Sequence, residues 1–253
     1  DSVATFYGAL HFLNYGEFEG ADQYGNRTGN FTAGEYALAF GAGTEVGENF
    51  SVGAHFKLIW AHYEQYNSAA IAMDYAVMYR SNNGLFNASA VLANVGLQID
   101  PFVDGGRDPM PLNLQLGATY RFEHMPLRLG VVAHNLNSPD FTYENPNVDG
   151  QRDLATGELI VEEIPLSEKI ARHFIVNAEI LLSENFHLRV GYSHQRRKEM
   201  TISSSPGLVG FSFGGGIRIY RFLISYARVP YHLAANTNQL TIVTNLSDWY
   251  SKK

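Results

Sequence analysis

The 253 residues include no cysteine, which removes a disulfide scaffold from consideration. Charge is scarce too: Asp, Glu, Lys and Arg make up 17% of the chain, against about a quarter in ordinary soluble domains. Basic residues number 18 against 25 acidic ones, so the positive excess normal for a nucleic-acid binder is missing. No run of apolar residues is long enough for a membrane-spanning helix. The most hydrophobic stretches, 69–78 and 174–182, are broken by Asp74, and by Asn177 and Glu179. No nucleophile elbow, HExxH or P-loop occurs, and Gly41-Ala-Gly43-Thr-Glu-Val-Gly47 misplaces the third glycine of a dinucleotide loop. The nine histidines show no zinc-type spacing. Neither an enzyme nor a cofactor or metal site is expected. The chain opens on Asp1 with no signal peptide, and is expected to be a processed or truncated product.

Aromatic residues reach 13%, with 16 Phe and 15 Tyr, beside 24 glycines. That richness excludes a disordered chain and points to β structure. Several segments alternate strictly. In 51–61, Val52, Ala54, Phe56, Leu58 and Trp60 share one face, opposite Ser51, Gly53, His55, Lys57 and Ile59. Leu112 to Phe122 alternates against Asn113, Gln115, Gly117, Thr119 and Arg121. Phe174 to Leu182 and Phe186 to Tyr192 repeat the pattern, and helical spacing fits all four poorly.

About twelve strands are expected, near 3–18, 31–45, 49–64, 68–80, 85–97, 112–123, 126–137, 171–182, 186–198, 208–219, 221–230 and 239–247. Tight turns at 47–49, 81–84, 123–126, 183–185 and near Tyr220 alternate with mostly long connections at 19–30, 98–111, 138–170, 199–207 and 231–238, Glu64 to Asn67 being a short exception among them. Short turns at one rim and long loops at the other are the plan of an antiparallel transmembrane outer-membrane β-barrel. A soluble sandwich also alternates. Against it, the polar faces hold glycine and neutral residues but few charges. Aromatics (Trp60, Tyr63, Tyr120, Phe122, Tyr192, Tyr226) also gather near strand ends, as interface girdles do. The fold expected is therefore all-β, one barrel domain over 1–253. Because the chain starts inside an apparent strand, an N-terminal pair of strands is expected to be missing.

The segment Asn14-Tyr-Gly-Glu-Phe-Glu-Gly-Ala-Asp-Gln-Tyr-Gly-Asn-Arg-Thr-Gly29, followed by Phe31-Thr-Ala-Gly-Glu-Tyr36, is distinctive. With Ser51 to Ile59, Glu64 to Ala69, His134-Asn-Leu-Asn137 and Phe141 to Pro146, it resembles the PorQ family of the bacterial type IX secretion system. The resemblance implies a barrel related to the fatty-acid transporter FadL, with fourteen strands, of which about twelve would be present here. It implies membership of a surface attachment complex with PorU, PorV and PorZ, in which the barrel anchors a PorZ-like surface protein. It also implies contact with outer-membrane lipid and lipopolysaccharide. The alternative is a FadL-like channel for hydrophobic or small solutes, with Glu35, Lys57, Asp74, Gln115, Arg121, Glu179 and Arg189 along its lumen.

Loop 138–170 holds eight acidic residues against Arg152 and Lys169, and so carries −6 of the chain's −7. It reads as a docking surface or as a plain solvated loop. Partner contact is expected at Asp22, Asn26 and Arg27 of the first long connection and at Asp140, Glu144, Asp149 and Asp153 of this one. Asp100, Asp104 and Asp108 lack EF-hand spacing. Arg196, Arg197 and Lys198, at a predicted strand's outer end, are candidates for lipopolysaccharide phosphates, or are simply a charged strand end in water.

Overall fold

Strict alternation over segments of seven residues or more commits the backbone to extended structure, because only a pleated strand sends successive side chains to opposite faces. The computed structural model describes residues 4–103, 105–140, 164–201, 207–232, 235–244 and Trp249. Among them are twelve strands: β1 (Thr5–Ala21), β2 (Arg27–Val46), β3 (Phe50–Tyr63), β4 (Tyr66–Arg80), β5 (Phe86–Asp100), β6 (Asn113–Arg121), β7 (Leu127–Ala133), β8 (Phe174–Leu181), β9 (Phe186–Ser193), β10 (Phe211–Ile219), β11 (Phe222–His232) and β12 (Ala235–Thr244). Two short helices, α1 (Leu166–Arg172) and α2 (His194–Met200), precede β8 and follow β9. The strands form one sheet in sequence order, β1 to β12, and its described ladders are antiparallel.

All five expected tight turns are present. Five expectations need correction. A closed barrel requires two neighbours for every strand. Here β1 and β12 are edges with one neighbour each, so the described residues form an open sheet. The 19–30 connection shrinks to 22–26, because the Asp22 carboxylate accepts the backbone N–H groups of Tyr24 (2.9 Å) and Asn26 (2.8 Å) and closes a tight hairpin. Gly25, at φ +82°, supplies its left-handed residue. The expected loop 231–238 is likewise mostly strand, since β11 and β12 pair as far as His232 and Ala235. Finally, strand 186–198 ends at Ser193, whose hydroxyl accepts the Arg196 N–H and starts α2; α1 occupies the C-terminal part of the expected loop 138–170.

By its internal contacts the chain divides into units 1–116 and 117–253. In the first, β1 to β5 run for 14 to 20 residues. In the second, β7 to β12 run for 7 to 11. Burial is inverted in both. The buried apolar residues among those described are Ala33, Ala39, Ala72 and Val209, whereas Ser68, Gln98, Arg172, His173, Glu179 and Ser193 are buried although polar. Large apolar side chains such as Phe40, Val52, Trp60, Leu129, Leu188 and Val190 are exposed. The face rich in glycine and polar residues is the covered one.

Aromatic rings line the tight-turn ends of the exposed face. In the first unit Phe50, Tyr79 and Phe86 succeed one another, with centroids 5.2 and 6.4 Å apart. In the second unit Tyr120 lies edge-on to Phe122 at 5.2 Å, and Phe186 and Phe222 open β9 and β11.

Candidate functional site

On the covered face of the first unit, β3 and β4 pair His55 with Asp74 and Lys57 with Ala72. The Asp74 carboxylate gathers three partners: His55 Nδ1 at 3.0 Å, Lys57 Nζ at 2.7 Å and the Asn94 backbone N–H at 2.7 Å. Lys57 also donates to Asn94 Oδ1 (2.5 Å). The irregularity between Met73 and Tyr75 makes this possible: Asn94 swings to φ +62° and turns its N–H toward the carboxylate. Further along the same face Glu35 accepts hydrogen bonds from the Tyr15 hydroxyl (3.1 Å) and from Tyr63. Gln98 donates to Ser68 Oγ (2.9 Å) and accepts the Asp108 N–H (2.8 Å), tying the 101–112 connection to the strands. Asp100 is exposed, and Asp104 lies outside the described residues.

The covered face of the second unit centres on Glu179, 6% exposed. Register places it between Arg128 on β7 and Arg189 on β9. Its two oxygens divide between them, Oε2 to Arg128 Nη1 at 2.6 Å and Oε1 to Arg189 Nε at 2.7 Å. Of the other residues expected to share this polar alignment, Gln115 is half-buried on β6, and Arg121 is exposed at the strand's end.

At the end bearing the long connections, α1 and α2 meet through a second carboxylate. Glu168 faces His194 Nε2 (3.1 Å), Lys198 Nζ (3.5 Å) and Arg172 Nε (3.5 Å). Arg172 also reaches Glu199 at 3.7 Å. Burial alone raises the Glu168 pKa, but the hydrogen bond and charge of His194, followed by Lys198, outweigh it and hold the carboxyl below its ordinary value of 4.5. A depressed folded-state pKa contributes stability that is full at neutral pH and disappears as pH falls through that value. Lowering pH from 7 through that depressed value is therefore expected to reduce the amide protection factors of both helices, exchange being corrected for its intrinsic pH dependence, by about tenfold. Glu168→Gln removes this loss of protection; protection factors that stay unchanged in the wild type at low pH would count against the contact.

The basic run expected to face phosphates is engaged locally. Arg196 stacks on the Tyr231 ring at 4.7 Å, Arg197 donates to the carbonyls of Gly207 (3.0 Å) and Val209 (3.2 Å), and Lys198 joins Glu168. In the first hairpin the Asn26 side-chain amide and then its backbone N–H hold the Asp22 carboxyl below its usual range. Arg27, highly exposed, pairs with Glu19 at 3.3 Å. Asp140 pairs with Lys169 at 2.5 Å. Glu144, Asp149 and Asp153 lie outside the described residues. Sequence reasoning missed Arg128, Asn94, Arg172 and the buried His173, whose Nδ1 lies 2.7 Å from the His134 carbonyl oxygen. Alternation around Leu127-Arg128-Leu129 carried a signal for the first; nothing local marks the others.

The family described as "F plasmid transfer operon, TraF, protein" matches residues 26–205, and the chain belongs to that family. No curated protein matches it.

Proposed function

We propose that this member of the TraF family is a non-enzymatic outer-membrane β-barrel protein that holds a surface partner through the rim carrying its long connections. The observation behind the reading is the inverted burial. An apolar face left exposed beside an ion-paired polar face suits lipid on one side and a hydrated interior on the other. Strands of about 9 to 11 residues suffice to cross a bilayer, which β10 to β12 match and β1 to β5 exceed. The aromatic band at the tight-turn ends suits a membrane interface. Lipid tolerates no unpaired sheet edge, so the reading requires β1 and β12 to be paired in the membrane.

The family's description links it to a plasmid transfer operon. The sequence resemblance supports a PorZ-like protein as the partner, with PorU and PorV-like subunits and lipopolysaccharide beside it. Fractionation tests the membrane assignment: the protein is expected in outer membranes and in solution only with detergent, and a soluble monomer would refute it. Native complexes isolated from those membranes identify the subunits. Deleting 141–163 is expected to abolish partner capture at unchanged barrel abundance; retained capture would remove this loop as the anchor.

A second reading, passage of small solutes, is favoured by the charged residues along the polar face. Solute uptake into liposomes containing the purified protein is the result it predicts.

A further inference from the structure

The registers of the second unit arrange its covered face in rows. One row runs Arg128, Glu179, Arg189, Gly214, Ala227, Gln239 across β7 to β12. On one side of it lies Gly130, Asn177, Gly191, Ser212, and on the other His187, Gly216, Ser225, Thr241. Glycines thus alternate with polar side chains, and the space they leave is used. A Cβ on Gly191 would lie 2.6 Å from Ser212 Oγ, and one on Gly216 would lie 2.5 Å from the His187 ring. The result is an open depression with a backbone floor, walled by Arg128, Arg189, Ser212, Ser225, Gln239 and Thr241.

Its electrostatics are one-sided. Two guanidiniums share one carboxylate, and Glu179 takes a single nitrogen of each. A guanidinium has five N–H donors, so most of both forks points elsewhere. Arg189 remains about half exposed above the floor. By alternation Arg121 and Arg218 share this face, so among the described strand residues of the unit four arginines stand against Glu179 alone. His187 Nε2 is buried beside the floor without a hydrogen-bond partner. A positive field over a polar, glycine-floored depression attracts small anions, and paired arginine forks fit the oxygens of a carboxylate or phosphate.

We propose that this depression is an oxyanion subsite, binding the carboxylate or phosphate group of a small solute between Arg128 and Arg189 through the N–H donors that Glu179 leaves free. The site stands whether the protein anchors a partner or passes solutes, and its test needs neither activity.

The experiment is calorimetric titration of the detergent-solubilised full chain with inorganic phosphate and, separately, with acetate, at ionic strength balanced by chloride. Saturable binding of at least one of these anions is expected. Arg189→Gln and Arg128→Gln each weaken it about tenfold or more, whereas Arg107→Gln, on an exposed connection of the other unit, changes it less than about twofold. Arg189→Lys keeps the charge without the fork, and an intermediate affinity guards against a folding artefact. Glu179→Gln, which releases both forks, is expected to preserve or tighten binding. Absence of binding by either anion, or equal affinity in wild type, Arg189→Gln and Arg128→Gln, would overturn the assignment.

Discussion

Arginine introduced at Phe40 or Val190 is expected to cost about 2–4 kcal/mol of folding stability in lipid vesicles. Both positions lie within strands on the exposed apolar face, 54% and 42% exposed. Phe40 lies opposite Gly8 and Phe56, and Val190 opposite Ala178 and Phe213. In a soluble protein such positions already face water, and a charge there shifts stability by less than about 0.5 kcal/mol. The two settings therefore differ by severalfold in the size of a single effect. Urea titration of the vesicle-inserted protein, followed by the electrophoretic mobility of the folded form, measures it. A neutral outcome at both positions would sink the lipid-facing assignment, because a guanidinium in hydrocarbon cannot be neutral.

The second large effect concerns the backbone. Gly96 on β5 lies so close to β4 that an added Cβ would stand 2.0 Å from the Ile71 carbonyl oxygen and 2.7 Å from the Ala72 Cα. Neither atom is the flexible end of a side chain, so the strands themselves must part. Gly96→Ala is therefore expected to destabilise by more than about 3 kcal/mol, or to leave no folded protein. The contact belongs to the same stretch of ladder that carries the Asp74 and Asn94 irregularity, so partial folding would be accompanied by loss of the Lys57–Asp74 pair. Gly53→Ala is the comparison: a Cβ there would be no closer than 3.3 Å to backbone, and the expected cost is below about 1 kcal/mol. Equal stability of the two variants would show that the β4–β5 approach is looser than described.

Much of the strand plan was legible because alternation is a local property. Ser51 to Trp60 and Phe186 to Tyr192 announce their faces without reference to any neighbour, and turns such as Ser81-Asn-Asn-Gly84 announce themselves by residue type. The helices were harder to see. His194-Gln-Arg-Arg-Lys-Glu-Met200 continues directly from a strand, and the Ser193 cap that starts it is a single hydroxyl. Glu179 was visible as a polar residue in an apolar run, but that it holds two arginines depends on register across three strands. Asn94 could not be foreseen, since its role comes from a positive φ opposite a bulge rather than from its side-chain pattern. For Asp22, an expected partner contact, the structure adds that its carboxylate closes its own hairpin.

The strictly sequential strand order has a kinetic consequence. Among the described residues each strand pairs only with its sequence neighbours, so every ladder can form as soon as two consecutive segments have been delivered. Assembly can then advance hairpin by hairpin, with loop-closure entropy small for all connections except 101–112, 134–173 and 194–210. The growing sheet keeps an adhesive margin at its leading strand throughout, and such a margin is where a nascent chain meets its neighbours. Dilution is thus expected to govern refolding yield more than the intrinsic speed of any single hairpin.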